Sequence, residues 1–166
     1  MEAWKKLERL DEQGIRQAPV TIVNSVEIQA TPSEVFAALE DGSLWPKWIP
    51  FIRHVEWTTP RPFQVGTCRT VTMVAGAKID DEFFLWDQDE RMAFWVRGMT
   101  KVKLFHAFGE IYELSPTATG TRLTWTVGVK PAGLMRPIFA VFGGATQATF
   151  SQCLRQFKRI LEKRSR

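Results

Sequence analysis

The sequence is poor in the side chains that most enzymes use for proton transfer and metal binding. It has two histidines, His54 and His106, two cysteines and one tyrosine among 166 residues. Cys68 and Cys153 lie far apart and in no metal-ligand spacing, so we expect two reduced, buried thiols. Phosphate loops, nucleophile elbows and zinc spacings are also missing. These absences disfavour an enzyme and predict neither a metal site nor a cofactor.

Long apolar runs are absent as well. The most apolar stretch, residues 134–145, contains Arg136 and Pro137 and is shorter than the ~18 residues of a membrane span. Residues 1–10 are charged and carry no secretory pattern. We therefore expect a cytoplasmic protein.

The net charge of +4 is concentrated at the C-terminal end. Residues 155–166 contain six Lys or Arg side chains against the single acid Glu162. Cations at the end of a helix complement its dipole, which predicts a solvated helix end and no nucleic-acid partner. The alternative is that this basic tail contacts an anionic membrane surface.

Large rings are abundant, with seven Trp and twelve Phe. Such side chains fill cores, and they also line pockets for apolar ligands. Alternation of apolar and polar residues predicts strands at residues 20–30, 51–59, 66–75, 77–87, 91–97, 104–114 and 121–129.

Helices are predicted on both sides of these strands. The spacing of Trp4, Leu7, Leu10 and Ile15 predicts a short N-terminal helix. Two more short helices follow the first strand, the first of them starting at a capping box, Thr31 to Glu34. Apolar residues at steps of three and four predict a long helix over residues 132–163, interrupted at its Gly-Gly pair.

This order of elements resembles the START/Bet v 1-like (SRPBCC) superfamily, in its polyketide cyclase/dehydrase and lipid-transport branch. The segments that carry the resemblance are residues 28–36 (IQATPSEVF), Asp41, residues 45–48 (WPKW), Pro50, Gly66, residues 112–116 (YELSP), Gly120, Thr121 and residues 154–162 (LRQFKRILE).

The resemblance implies an α+β helix-grip fold. In this fold a seven-stranded curved antiparallel sheet wraps around the long C-terminal helix, and an apolar tunnel lies between them. Residues 20–166 would form the ligand-binding domain, and residues 1–19 a helical extension outside the shared pattern. We expect a monomer or a homodimer.

Polar candidates for the tunnel lie on the predicted strand 104–114. The resemblance places Tyr112 and Leu114 inward, and alternation then turns His106, Phe108 and Glu110 inward too. The opposite parity, with these residues outward, remains open. His54 alternates with inward residues and is expected to face solvent.

The full set of expected ligand contacts combines these residues with weaker polar candidates and with rings. They are Asn24, Asp81, Phe94, His106, Phe108, Glu110, Tyr112, Trp125, Phe142 and Phe150. If the protein catalyses a reaction, Glu110 is the expected acid or base, because a carboxyl group in an apolar cavity has a raised pKa. Tyr112 and His106 would then orient the substrate.

Three functions fit these residues. The first is binding of a small hydrophobic ligand, such as a lipid, a polyketide-like compound or an isoprenoid metabolite. The second is a cofactor-independent polyketide cyclase or dehydratase. The third is a lipid or quinone chaperone that works at a membrane surface through the basic tail.

Overall fold

The computed structural model describes residues 2–133 and 135–164. Eight strands and four helices follow one another along this part of the chain. The strands are β1 (Lys5–Lys6), β2 (Val20–Ile28), β3 (Ile52–Trp57), β4 (Cys68–Met73), β5 (Lys78–Asp87), β6 (Arg91–Met99), β7 (Phe105–Pro116) and β8 (Thr121–Pro131). The helices are α1 (Glu12–Arg16), α2 (Pro32–Glu40), α3 (Trp45–Trp48) and α4 (Met135–Arg164).

Seven of these strands form one curled antiparallel sheet in the order β2-β8-β7-β6-β5-β4-β3. Sequential strands from β3 to β8 pair with one another, through short connections from β4 onward and a longer one, residues 58–67, between β3 and β4. The predicted helix-grip fold is therefore confirmed, and so is the capping box, in which Thr31 and Glu34 each accept a hydrogen bond from the other's backbone.

The long helix α4 packs across the concave face of the sheet. Its second half contributes Cys153, Leu154, Phe157 and Leu161 to the core. The first half is largely exposed, and the helix is kinked at Phe142, whose φ of −108° and ψ of 18° are not helical. No helix within the described residues is long and apolar enough to cross a membrane.

Helix α1 packs on the opposite, outer face of the sheet. Ile15 of α1 is fully buried against Ala93 and Ile111. A Cβ atom at Gly109 or Gly128 would lie 2.7 Å or 2.3 Å from Ile15, so only glycine at these positions allows this approach.

The expected N-terminal helix is shorter than its apolar spacing predicts. Only residues 12–16 are helical, and β1 pairs instead with the end of β6. Phe84 and Leu85 contact this outer cluster, while Phe83 and Trp86 join the main core. Strand β5 is thus apolar on both faces because both of its faces are covered.

Candidate functional site: a cavity with a polar floor

A cavity of about 390 Å³ lies between the concave face of the sheet and α4. Its wall is built almost entirely from apolar side chains of the sheet, of α3 and the segment after it, and of Phe139 and Phe150 on α4. This volume lies within the range of small-molecule sites, toward its lower end. The cavity therefore has the size and lining for a small apolar molecule.

The cavity opens where its lining residues are exposed. We call this opening the mouth and define it by Val74 and Ala75 in the β4–β5 turn, Leu104 before β7, and Phe139. Val74 is 58% exposed and Leu104 is 37% exposed. Entry is thus between two sheet turns and the first half of α4.

At the other end the strands carry three charged residues, which we call the polar floor: Arg69, Asp81 and Glu110. Arg69 lies four residues along β4 from Met73, roughly 13 Å from the mouth end of that strand. All three side chains are buried. The wall between the mouth and the floor is apolar.

Glu110 is bonded through one of its two oxygens. Tyr112 donates its hydroxyl hydrogen to Oε2, and Trp125 Nε1 donates to the same oxygen at 2.9 Å. Oε1 receives no hydrogen bond from the described residues and is not one of their enclosed, unpartnered atoms. It is therefore the oxygen that faces the cavity.

The surroundings of Glu110 favour its neutral form. Burial is the main cause that raises the pKa of Glu110 to about 7, against the opposing effects of Tyr112, Arg69 and Trp125. Burial and the neighbouring Glu110 raise the pKa of Tyr112 well above its usual value, so its phenol stays a donor. A proton on Glu110 then belongs on Oε1, because Oε2 already accepts two hydrogen bonds.

The other two residues of the polar floor form a buried ion pair. Arg69 Nε donates to Asp81 Oδ2 at 2.8 Å, and the two residues are direct partners in the β4–β5 register. Burial raises the pKa of Asp81 to about 6 despite the opposing charge of Arg69. Arg69 Nη1 and Asp81 Oδ1 have no hydrogen-bond partner within the described structure.

Rings enclose the guanidinium of Arg69. Its Cζ lies 4.1 Å from the ring centroid of Trp45 and 4.6 Å from that of Phe94. Cation–π attraction is strongest for a desolvated cation, so these rings offset part of the cost of burying Arg69. The guanidinium of Arg69 thus interacts with Asp81 and with these rings, and it makes no hydrogen bond to Glu110.

Six of the residues expected to contact a ligand line the cavity: Asp81, Phe94, Phe108, Glu110, Trp125 and Phe150. Tyr112 does not line the cavity; it lies behind Glu110, to which it donates a hydrogen bond, and its ring stacks on Trp125. Asn24 faces α4, where its Oδ1 accepts a hydrogen bond from Gln147 Nε2 at 3.0 Å. His54 is exposed, as its position in the strand predicts.

Two more of the expected residues, His106 and Phe142, do not line the cavity. His106 does not line the cavity, because the register of β7 shifts between Phe105 and Ala107 and Phe105 takes the inward place. Phe142 is 57% exposed and lies at the kink of α4. Phe139, one turn earlier, contacts the cavity instead.

Arg69 is a residue of this site that the sequence reasoning missed. It shares its face of β4 with Val71 and Met73, so strict alternation places it inward. The register partner Asp81 was already a candidate on β5. An inward-facing cation on β4 opposite an inward-facing acid on β5 could therefore have predicted the buried ion pair.

No group of three or more His, Cys, Asp or Glu side chains in residues 2–133 and 135–164 is arranged to hold a metal ion. The polar floor has two carboxyl groups, but one of them is paired with Arg69.

Comparison with known sequences gives a consistent picture. The family described as "Polyketide cyclase / dehydrase and lipid transport" matches residues 19–162. An uncharacterized protein of Mycobacterium tuberculosis, Rv2574, is 37% identical over 147 residues, which are 89% of this chain and 87% of that protein.

Solved structures share the fold at low sequence identity. A START superfamily protein from Mycobacterium smegmatis superposes with a TM-score of 0.63 at 14% identity, covering 87% of this chain and 95% of the other. The di-domain ARO/CYC StfQ from the steffimycin biosynthetic pathway superposes with a TM-score of 0.68 at 14% identity, covering 92% of this chain and 54% of the other.

Proposed function

We propose that this chain, which belongs to the polyketide cyclase/dehydrase and lipid-transport family, binds a small and mainly apolar molecule in the cavity between its sheet and α4. The observation that carries the proposal is the cavity itself. It has an apolar wall, an opening at one end and a few convergent polar groups at the other, which is the usual composition of a ligand site.

Burial of apolar surface supplies the affinity in this proposal. Each square ångström of apolar ligand surface removed from water contributes roughly 25 cal/mol before the costs of association. The ligand's apolar body would lie along Val71, Val96 and Val129, and its polar end would reach the polar floor. Val96 and Val129 are themselves almost inaccessible to solvent, so this part of the cavity wall is packed without a ligand.

A matched pair of Ala→Trp substitutions tests the proposal. Ala77 lines the cavity near its mouth, whereas Ala118 is exposed in the β7–β8 connection. We expect the wild type and Ala118→Trp to bind the apolar dye N-phenyl-1-naphthylamine with equal affinity. Ala77→Trp is expected to bind it at least tenfold more weakly, because the indole occupies the cavity.

The measurement is a fluorescence titration, with far-UV circular dichroism to establish that both variants are folded. Equal dye affinity in Ala77→Trp and Ala118→Trp would contradict binding in the cavity. If only Ala77→Trp loses dye binding, mass spectrometry of molecules extracted from the purified wild type and from Ala77→Trp identifies the natural ligand, which should be absent from the blocked variant.

One observation favours catalysis as a second function. Glu110 is a buried carboxyl group with a pKa raised to about 7, which suits a general acid or base near neutral pH. A cyclase or dehydratase would use it to protonate a leaving hydroxyl or an enolate oxygen, with Tyr112 holding its orientation. Glu110→Gln would then retain ligand binding and lose turnover, whereas a carrier would show no turnover in either form.

A further inference from the structure

The two carboxyl groups of the polar floor differ in what they offer a ligand. Asp81 is paired with Arg69, and its free oxygen Oδ1 is enclosed. Glu110 has no ion-pair partner within the described residues, and its Oε1 faces the cavity. Glu110 is therefore the polar group best placed to meet the end of a bound molecule.

The bonds to Glu110 determine where its proton is. Tyr112 and Trp125 both donate to Oε2, and neither can accept a hydrogen bond from it in return while doing so. A buried carboxylate without a cation bonded to it is costly, so the group favours its neutral form below about pH 7. With Tyr112 and Trp125 both donating to Oε2, the proton of the neutral group lies on Oε1, on the side of the cavity.

We propose that Glu110 acts as a neutral hydrogen-bond donor and that the ligand of this cavity presents a carbonyl oxygen to it, as a ketone, ester or other carbonyl compound would. This inference rests on the proposed binding function and narrows its ligand class. An apolar wall selects the body of the molecule, and the Oε1–H group selects an acceptor at its deep end. Amines and other ligands that offer only donors are disfavoured at this position.

The proposal predicts a dependence of binding on pH. The charged or titratable groups that face Glu110 are Arg69 on β4, Asp81 on β5, Tyr112 on its own strand and Cys153 on α4. When Glu110 loses its proton, the donor becomes a carboxylate that repels a carbonyl oxygen. The affinity for a carbonyl ligand therefore falls as the pH rises through about 7.

The test uses two dyes that differ by a propionyl group, which carries the ketone. Prodan is a naphthyl ketone whose emission shifts to longer wavelength when its carbonyl accepts a hydrogen bond. N,N-dimethyl-2-naphthylamine is the same ring system without the ketone. We expect the wild type to bind Prodan about three- to tenfold more tightly at pH 6 than at pH 8.5, with red-shifted emission at pH 6, and to bind the reference dye equally at both pH values.

Three variants sharpen the result. Glu110→Gln keeps an N–H donor toward the cavity at every pH, so its Prodan affinity should be independent of pH and its emission should stay red-shifted. Glu110→Met should bind each dye with the same affinity at both pH values and should give no red shift with Prodan. Glu113→Gln, a substitution of the neighbouring acid that pairs with Arg16 outside the cavity, should behave as the wild type.

The outcomes separate this inference from the binding proposal. If both dyes bind but Prodan affinity in the wild type does not vary with pH, or Glu110→Gln retains the wild-type pH dependence, the carbonyl inference is overturned. If neither dye binds the wild type, the binding proposal itself fails. Should Glu110→Met not fold, the wild type, Glu110→Gln and Glu113→Gln still decide the question.

Discussion

The two halves of α4 meet different surroundings on the same sheet. In the second half, Leu154 and Phe157 are inaccessible to solvent and pack against the strands and α3. In the first half, Ile138, Val141 and Phe142 are between 45% and 73% exposed. The helix thus contributes to the core with one half and borders a cavity with the other.

The two halves of α4 therefore have different roles in stability and in access to the cavity. Fully buried side chains give large stabilising contributions, so the second half of α4 anchors the fold. The first half has few buried contacts, and regions of this kind open at low energetic cost. The mouth lies at that half, and the polar floor lies near the boundary between the two.

The largest effect should come from truncating a ring in the anchored half. Phe157→Ala removes a fully buried ring that contacts Trp48, and we expect the free energy of unfolding to fall by about 3–5 kcal/mol. Phe142→Ala, on the same helix, should change it by about 0.5 kcal/mol or less. Urea unfolding of both variants measures this. Equal losses of unfolding free energy would contradict the difference between the two halves of α4.

The ion pair at the polar floor gives the next effect. Asp81→Asn leaves the guanidinium of Arg69 buried without a counter-charge, and we expect the free energy of unfolding to fall by about 3 kcal/mol. This is at the lower end of the usual cost of breaking a buried ion pair, because aromatic rings enclose the cation. The neighbouring Asp80 pairs with Arg97 on the outer face at a partly exposed site. Asp80→Asn should cost at most about 1 kcal/mol, and an equal or larger cost would contradict the assignment of the buried pair.

The pH dependence of stability should also separate the two acids of β7. The pKa of Glu110 is raised from 4.5 to about 7, so the folded chain binds this proton more tightly than the unfolded chain does. The stability it contributes is fully present below about pH 4.5 and is lost as the pH rises through about 7, by on the order of 3 kcal/mol.

Asp81 titrates in the same direction, so the informative quantity is a difference between variants. Glu110→Gln should lose less stability than the wild type between pH 5 and pH 8, and Glu113→Gln should lose as much as the wild type. Urea unfolding at both pH values provides the measurement. An unchanged pH dependence in Glu110→Gln would mean that Glu110 is charged throughout this range.

The smallest effect concerns the mouth and its surroundings. Exposed apolar side chains near the opening, including Val102, Leu104 and Val141, lie close in sequence to Lys101, Lys103 and Arg136. If the protein loads its ligand at a membrane surface, it should bind anionic vesicles weakly and release them at high salt. Val141→Ser should weaken this binding a few-fold, and Val23→Ser, an exposed valine on β2, should not.

Vesicle co-sedimentation at low and high salt measures this last effect. Binding that is insensitive to salt and to Val141→Ser would exclude loading at an anionic surface by this route, while leaving the cavity proposal intact.

Much of the fold follows from the pattern of the sequence. The strands alternate with period two, α4 repeats at steps of three and four, and the capping box marks the start of α2. These patterns are local, and the structure follows them closely. The helix-grip arrangement itself needed the family resemblance, because alternation alone does not give the order of strands in a sheet.

The site was less predictable because it depends on irregularities. A shift of register in β7 removes His106 from the cavity, and no sequence signal marks that shift. The kink of α4 turns Phe142 away from the cavity, although the glycines at 143 and 144 had predicted an interruption of the helix nearby. Arg69 was overlooked because a lone cation in a Thr- and Val-rich strand looks like a solvent-facing residue until its partner in register is known.

The most direct test of ligand binding in this cavity is a crystal structure of the protein with Prodan bound at pH 6. We expect electron density inside the cavity between the sheet and α4, with the ketone oxygen within about 3 Å of Glu110 Oε1 and the amine end toward Leu104 and Phe139. Density confined to the outer surface, or a ketone oxygen that points toward the mouth and away from Glu110, would contradict it.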